Sequence, residues 1–289
     1  MKHLTQLLVV MLLTTVIMGC GNQLKLNSNW QSKEIAIDGD HEDWQDAMTF
    51  VEKKNVSVGI ANDAEFLYIC LASTDRNLQR QMMAMGFTLW FDPQGGNDKT
   101  FGIRFPIGMR KLGLMRGGMG MGRDSDQEID PELMRYYFQQ ATAELELIDS
   151  KGETQRRKLS DLKTQGIEVK ITEPTEKVVY ELKVPLQQSE THPYAIGIAA
   201  VDLPLGIGFE TAKIDFDEMR EQMGRGGFGG GRGGMGGRGG RGGRGGRGGT
   251  GGPGGMIGSR PQMPEQFKFW TTVQLGAADY SSSTQLMHN

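Results

Sequence analysis

Apolar and polar residues alternate with a period of two along much of this chain. Val56, Val58 and Ile60 share one side of a segment that closes on the turn signal Asn62-Asp63. Residues 66–72 are apolar on both sides and read as a central strand, so the two segments predict a hairpin. Phe87, Leu89 and Phe91 alternate against Thr88 and Trp90. Residues 92–98 (DPQGGND) form a turn, and Phe101, Ile103 and Phe105 then align as the returning strand of a second hairpin. Ala143, Leu145 and Leu147 alternate against Glu144 and Glu146. Further short strands are expected at 35–37, 166–171, 178–184, 194–201 and 267–275. Helical spacing is scarce. Residues 79–85 suit one or two turns, and 131–140 suit a short helix with Pro131 in its first turn. No βαβ repeat occurs, which argues against a doubly wound sheet. The pattern predicts an all-β fold, an antiparallel, jelly-roll-like β-sandwich with long disordered loop insertions.

The first residues follow a different rule. Lys2 is followed by an apolar run over 7–18, broken by Thr14 and Thr15, and the run ends in Met18-Gly19-Cys20. Such a run is short for a bilayer span but suits the hydrophobic region of a signal peptide. Gly19 supplies the small residue that cleavage needs, and the Cys20 thiol can accept a diacylglycerol. The arrangement resembles the bacterial lipoprotein signal. It implies a signal peptide at 1–19, lipidation at Cys20 and a polar tether over 20–32, with membrane attachment through the acyl chains. No Asp follows Cys20, which by resemblance to proteobacterial sorting favours the outer membrane. The expected location is therefore the cell envelope. With Cys20 acylated, Cys70 has no disulfide partner and reads as a small buried hydrophobe.

About 230 residues remain outside the leader and one low-complexity tract, enough for a substantial core. That tract, 224–258, holds 23 glycines and six arginines and no acidic residue. Arg238, Arg241, Arg244 and Arg247 recur at every third position, with Arg232 upstream. With so little apolar surface to offset ordering entropy, it is expected to be a disordered loop inserted before the last strand. Its arginines are candidates for contact with an anionic envelope polymer or headgroups. Nucleic acid is an improbable partner for an exported chain, and the net charge of -3 gives no whole-molecule attraction to it. A smaller basic, Met-rich stretch runs over 110–123. A tail follows at 277–289.

Candidate chemistry is sparse. Asp38, Asp40 and Asp43 cluster in a turn, where ordinary turn and capping duty accounts for them and calcium is the alternative that hard oxygens allow. His3, His41, His192 and His288 show no zinc-ligand spacing, and no Gly-x-Ser-x-Gly elbow marks a nucleophile. Trp90 and Trp270 are candidate ligand-binding aromatics, with core packing as the alternative for each.

Four segments in order carry a family likeness. They are 35–44 (IAIDGDHEDW), 62–69 (NDAEFLYI), 87–92 (FTLWFD) and 179–186 (VYELKVPL). Together they resemble a family 9 carbohydrate-binding-module-like domain, a β-sandwich related to the DOMON group, spanning residues 33–276. The resemblance implies a sandwich that in some members binds sugars between tryptophans and holds calcium, and in others binds haem. The resulting expectation is a non-catalytic envelope lipoprotein that binds a glycan or another envelope component. A structural or assembly protein with a protein partner, and a hydrolase on the same fold, are the alternatives.

Overall fold

The computed structural model describes residues 24–31, 34–44, 47–114, 130–173, 176–213 and 265–278. Its strands, in chain order, are β1 (Leu24–Asn27), β2 (Asn29–Trp30), β3 (Met48–Val51), β4 (Val56–Asn62), β5 (Phe66–Ser73), β6 (Phe87–Asp92) and β7 (Phe101–Arg104). There follow β8 (Glu144–Ile148), β9 (Thr154–Lys158), β10 (Glu168–Ile171), β11 (Val178–Pro185), β12 (Leu205–Thr211) and β13 (Lys268–Gln274). Three helices, α1 (Arg76–Met85), α2 (Pro131–Ala141) and α3 (Leu159–Lys163), join them.

Two sheets make a sandwich. One has seven strands in the order β1-β13-β12-β6-β7-β8-β9. The other has six, in the order β10-β11-β5-β4-β2, with β3 also paired to β4. The expected β-sandwich is therefore present. Its sheets are mixed rather than purely antiparallel, because β1 runs parallel to β13 and β2 parallel to β4. Between the sheets lie Leu67, Ile69 and Leu71 from β5, Phe87, Leu89 and Phe91 from β6, and Ile207 and Phe209 from β12. These are the apolar halves of the alternating patterns, which bury one side of each strand. Tyr180 bridges the layers, with its ring 5.2 Å from that of Phe87 in an edge-on arrangement.

Local chemistry explains the hairpin and the first helix. Asp63 Oδ1 accepts from the amides of Glu65 and Phe66, closing the β4–β5 turn, and its Oδ2 accepts from the Tyr68 hydroxyl. Asp75 caps α1 by accepting from the amides of Asn77 and Leu78. The helix ends at Gly86, where φ is +87° and a Cβ would meet the Ile107 carbonyl oxygen at 2.8 Å, so glycine is required.

Three segments differ from the sequence pattern. Part of the stretch read as a tether is β1, because Leu26 is buried against the sandwich edge. Residues 35–37 form no strand. Ile35 and Ile37 instead pack beside Trp44 on the outer side of the six-stranded sheet. Residues 194–201 form no strand either. Ile196 and Ile198 are buried, but Gly197 at φ +83° breaks the extended run. The tail 279–289 lies outside the described residues.

Register also orients the chain's departures. β1 starts alongside Thr271 and runs with β13, so the chain enters from the end of the sandwich where β13 begins. At that same end β12 finishes at Thr211 beside β6 Phe87. The 105–114 segment and the C-terminus of α2 also meet there, with the Ile107 amide donating to the Ala141 carbonyl. The described residues before the 110–123 stretch, and Thr211 and Phe267 on either side of the 224–258 tract, therefore lie at one end.

Candidate functional site

The outward face of the seven-stranded sheet brings together residues that are far apart in sequence. Along one register row, Trp270 of β13 stands opposite Gly208 of β12, Gly208 opposite Trp90 of β6, and Trp90 opposite Gly102 of β7. A Cβ on Gly208 would lie 2.5 Å from Trp270 Cε2, and a Cβ on Gly102 would lie 2.6 Å from Trp90 Cζ3. Each indole therefore lies flat on a bare glycine of the neighbouring strand. With strands about 4.8 Å apart, the two tryptophan backbones are roughly 10 Å from one another. Trp270 is partly exposed, whereas Trp90 is 7% exposed.

Beside this aromatic row runs a charged one. Lys268, Glu210, Thr88, Arg104, Glu146 and Arg156 follow one another across six strands in register. Glu146, 2% exposed, accepts from Arg104 at 2.7 Å, Lys111 at 2.5 Å and Arg156 at 3.2 Å. Burial pushes its carboxyl upward in pKa, but the surrounding cations outweigh burial and hold it below the usual carboxylate range. Glu210 is held by Lys99 at 2.8 Å and by Lys268 at 3.6 Å. Lys99 also places its Nζ 4.7 Å from the centre of the Trp90 ring, a cation–π contact. The loop that carries Lys99 is tied down by Asp92, whose oxygens accept from the amides of Gln94 and Asp98. Among the described residues, the buried Trp90 indole N–H finds no hydrogen-bond partner.

The two candidate tryptophans are thus brought into one row. The other sequence candidates are not part of it. Asp38 and Asp40 lie on the opposite sheet, beside an open cleft of about 590 Å³ that also includes His41 and Lys177. Their carboxylates cap local turns, Asp38 accepting from the Asp40 amide and Asp40 from the Glu42 amide. Asp43 sits exposed in the short 3-10 turn that follows. The turn is anchored from below by Glu181, which accepts from the Gly39 amide at 2.6 Å and the Trp44 indole at 2.7 Å. Burial raises the Glu181 carboxyl, against those two hydrogen bonds. Trp44 itself is fully buried in the small outer cluster with Cys70 and Tyr68. Cys20, Arg232, Arg238, Arg241, Arg244 and Arg247 lie outside the described residues.

The sequence does not single out Lys99, Arg104, Glu146 or Arg156, shows Glu210 only as one of several carboxylates, and shows Lys111 only as part of the basic 110–123 stretch. Glu146 was visible only as the polar member of an alternating strand. Arg156 belongs to β9, whose residues TQRRK carry no apolar face to mark a strand.

No family model matches the chain, and no curated protein matches it. Among solved structures it is weakly and partially similar to a family 9 carbohydrate-binding module from Caldicellulosiruptor kristjanssonii. The structure in complex with glucose is 9% identical at a TM-score of 0.31, covering 67% of this chain and 80% of that one. The structure in complex with cellotriose is 10% identical at 0.30, covering 67% and 78%.

Proposed function

We propose that this chain is a non-catalytic glycan-binding protein of the cell envelope, which holds a saccharide against the Trp270–Trp90 row. The observation that carries this reading is the placement of two indoles flat on glycines in one register row. Flat aromatic faces suit the apolar C–H faces of pyranose rings, and the charged row alongside offers donors and acceptors to hydroxyl groups. Trp270 is the open end of the platform and Trp90 the end that Lys99 covers. The lipoprotein reading of Cys20 complements this. Only 21–23 separate Cys20 from β1, so at full extension the anchor reaches about 14 Å from the sandwich.

Titration of the mature chain with a panel of soluble oligosaccharides, followed by calorimetry, tests the proposal. Binding should be saturable, and Trp270→Ala should weaken it roughly 30-fold, the effect of losing about 2 kcal/mol from an aromatic anchor. Saccharide binding that is unaffected by Trp270→Ala would remove this face from the reading.

A further inference from the structure

We infer that the ligand of this face is an acidic saccharide, one that bears carboxylate or sulfate groups. The inference rests on the glycan-binding reading and specifies its substrate class.

Both carboxylates in the charged row hold more cations than they need. Glu210 is shared by Lys99 and Lys268, and Glu146 by Arg104, Lys111 and Arg156. An ordinary structural ion pair matches one carboxylate to one cation. Here each acid, Glu146 buried and Glu210 partly so, acts as a post that gathers positive charge onto an outward face, in a chain whose net charge is -3. The surplus is accessible. The Lys99 side chain is 39% exposed, Arg156 41%, Lys111 42% and Lys268 45%, whereas Glu146 is 3% and Glu210 14%. Glu144, 3.9 Å from Arg156, is 37% exposed on the same face, so an incoming anion meets the cations before Glu146 and Glu210 but shares Arg156 with one open carboxylate.

Removing one cation from either post is also inexpensive. A ligand carboxylate that recruits Lys99 leaves Glu210 paired with Lys268. One that recruits Arg156 leaves Glu146 with Arg104 and Lys111. No buried charge is stranded in either exchange, so the usual penalty for breaking a buried pair does not apply. Movement of Lys99 has a second consequence. It uncovers the face of Trp90, whose buried indole N–H has no partner among the described residues. Charge recognition at Lys99 and ring stacking at Trp90 thus belong to one event, which a neutral sugar cannot drive in the same way.

The test uses the full mature chain and matched pairs of polymers. Polygalacturonate is compared with its methyl ester, and dextran sulfate with dextran, at low and high salt. The acidic member of at least one pair should bind tenfold or more tightly at low salt, with the ratio shrinking as salt screens the contact. Whichever pair shows the preference identifies carboxylate or sulfate as the group read. Lys99→Gln combined with Arg156→Gln should shrink that ratio, while Lys53→Gln, in the turn that joins β3 to β4 of the other sheet, should leave it unchanged. Equal binding within both pairs, with both members lost in Trp270→Ala, would overturn the acidic specificity and keep the glycan reading. A preference that survives Lys99→Gln with Arg156→Gln would place charge recognition elsewhere and overturn the inference. Absence of binding to all four polymers would defeat the inference, and with a silent oligosaccharide panel the glycan reading as well.

Discussion

Replacing Gly208 by alanine adds a single methyl group at the point where the Trp270 ring rests. The new Cβ would lie 2.5 Å from Cε2, 2.6 Å from Cζ2 and 2.9 Å from Cδ2 of that indole. Carbon atoms pack at about 3.5 Å or more, so the ring must rise by about 1 Å. Trp270 is partly exposed and can tilt into solvent. The cost is then the contact the ring loses against the sheet, about 1 kcal/mol, which lowers the melting temperature by roughly 2–4 °C in a domain of this size. Gly102→Ala makes the same demand on Trp90, with contacts at 2.6 and 2.7 Å. That ring is 7% exposed and lies beneath Lys99, so it can lift only by displacing the lysine and breaking the cation–π contact. The result is overpacking, costing about 2–3 kcal/mol. Thermal denaturation of both variants, with iodide quenching of tryptophan fluorescence, reads the difference. Gly208→Ala should melt slightly early, show increased quenching and bind saccharide more weakly, while Gly102→Ala should be the less stable of the two. A Gly208→Ala protein indistinguishable from wild type, or less stable than Gly102→Ala, would refute the flat-ring geometry.

Glu146→Gln retains the shape of the charged post but releases three cations to repel one another. They are partly solvated, so the expected loss is only about 1–2 kcal/mol. Because the folded-state pKa of Glu146 is depressed, its stabilisation is present above the unfolded value of about 4.3 and is lost as pH falls through the folded one. Urea midpoints of wild type and variant should differ by a constant amount above about pH 5 and converge as pH falls below the unfolded value and through the folded one. A gap that ignores pH would argue against the cation cage. Burial raises the Cys70 thiol far above its ordinary range, and the Glu181 carboxylate on the neighbouring strand adds to the effect. In a Cys20→Ser chain, Ellman's reagent at pH 8 should find no reactive thiol until denaturant is added. Rapid labelling of the folded protein would contradict the packing of that cluster.

Much of the sandwich is written in the alternation of side chains. The patterns at 56–60, 66–72, 87–91 and 101–105 specify strands, their buried sides and two hairpins, because each face of a strand repeats every second residue and the intervening turns are local. That Trp90 opposes Phe87, Leu89 and Phe91 is likewise legible along the chain. Period-two alternation says which side a residue takes but not which strand stands beside it. The meeting of Trp90 with Trp270 across Gly208 depends on β12 lying between β6 and β13, and the β6–β12 pairing joins segments more than 100 residues apart that only packing of the whole sheet selects. The same holds for Glu146, one polar position among many until register surrounds it with Arg104 and Arg156 and the following loop delivers Lys111. Strand propensity is a local property of the chain. The site is a property of register across strands, so it exists only in the folded sheet.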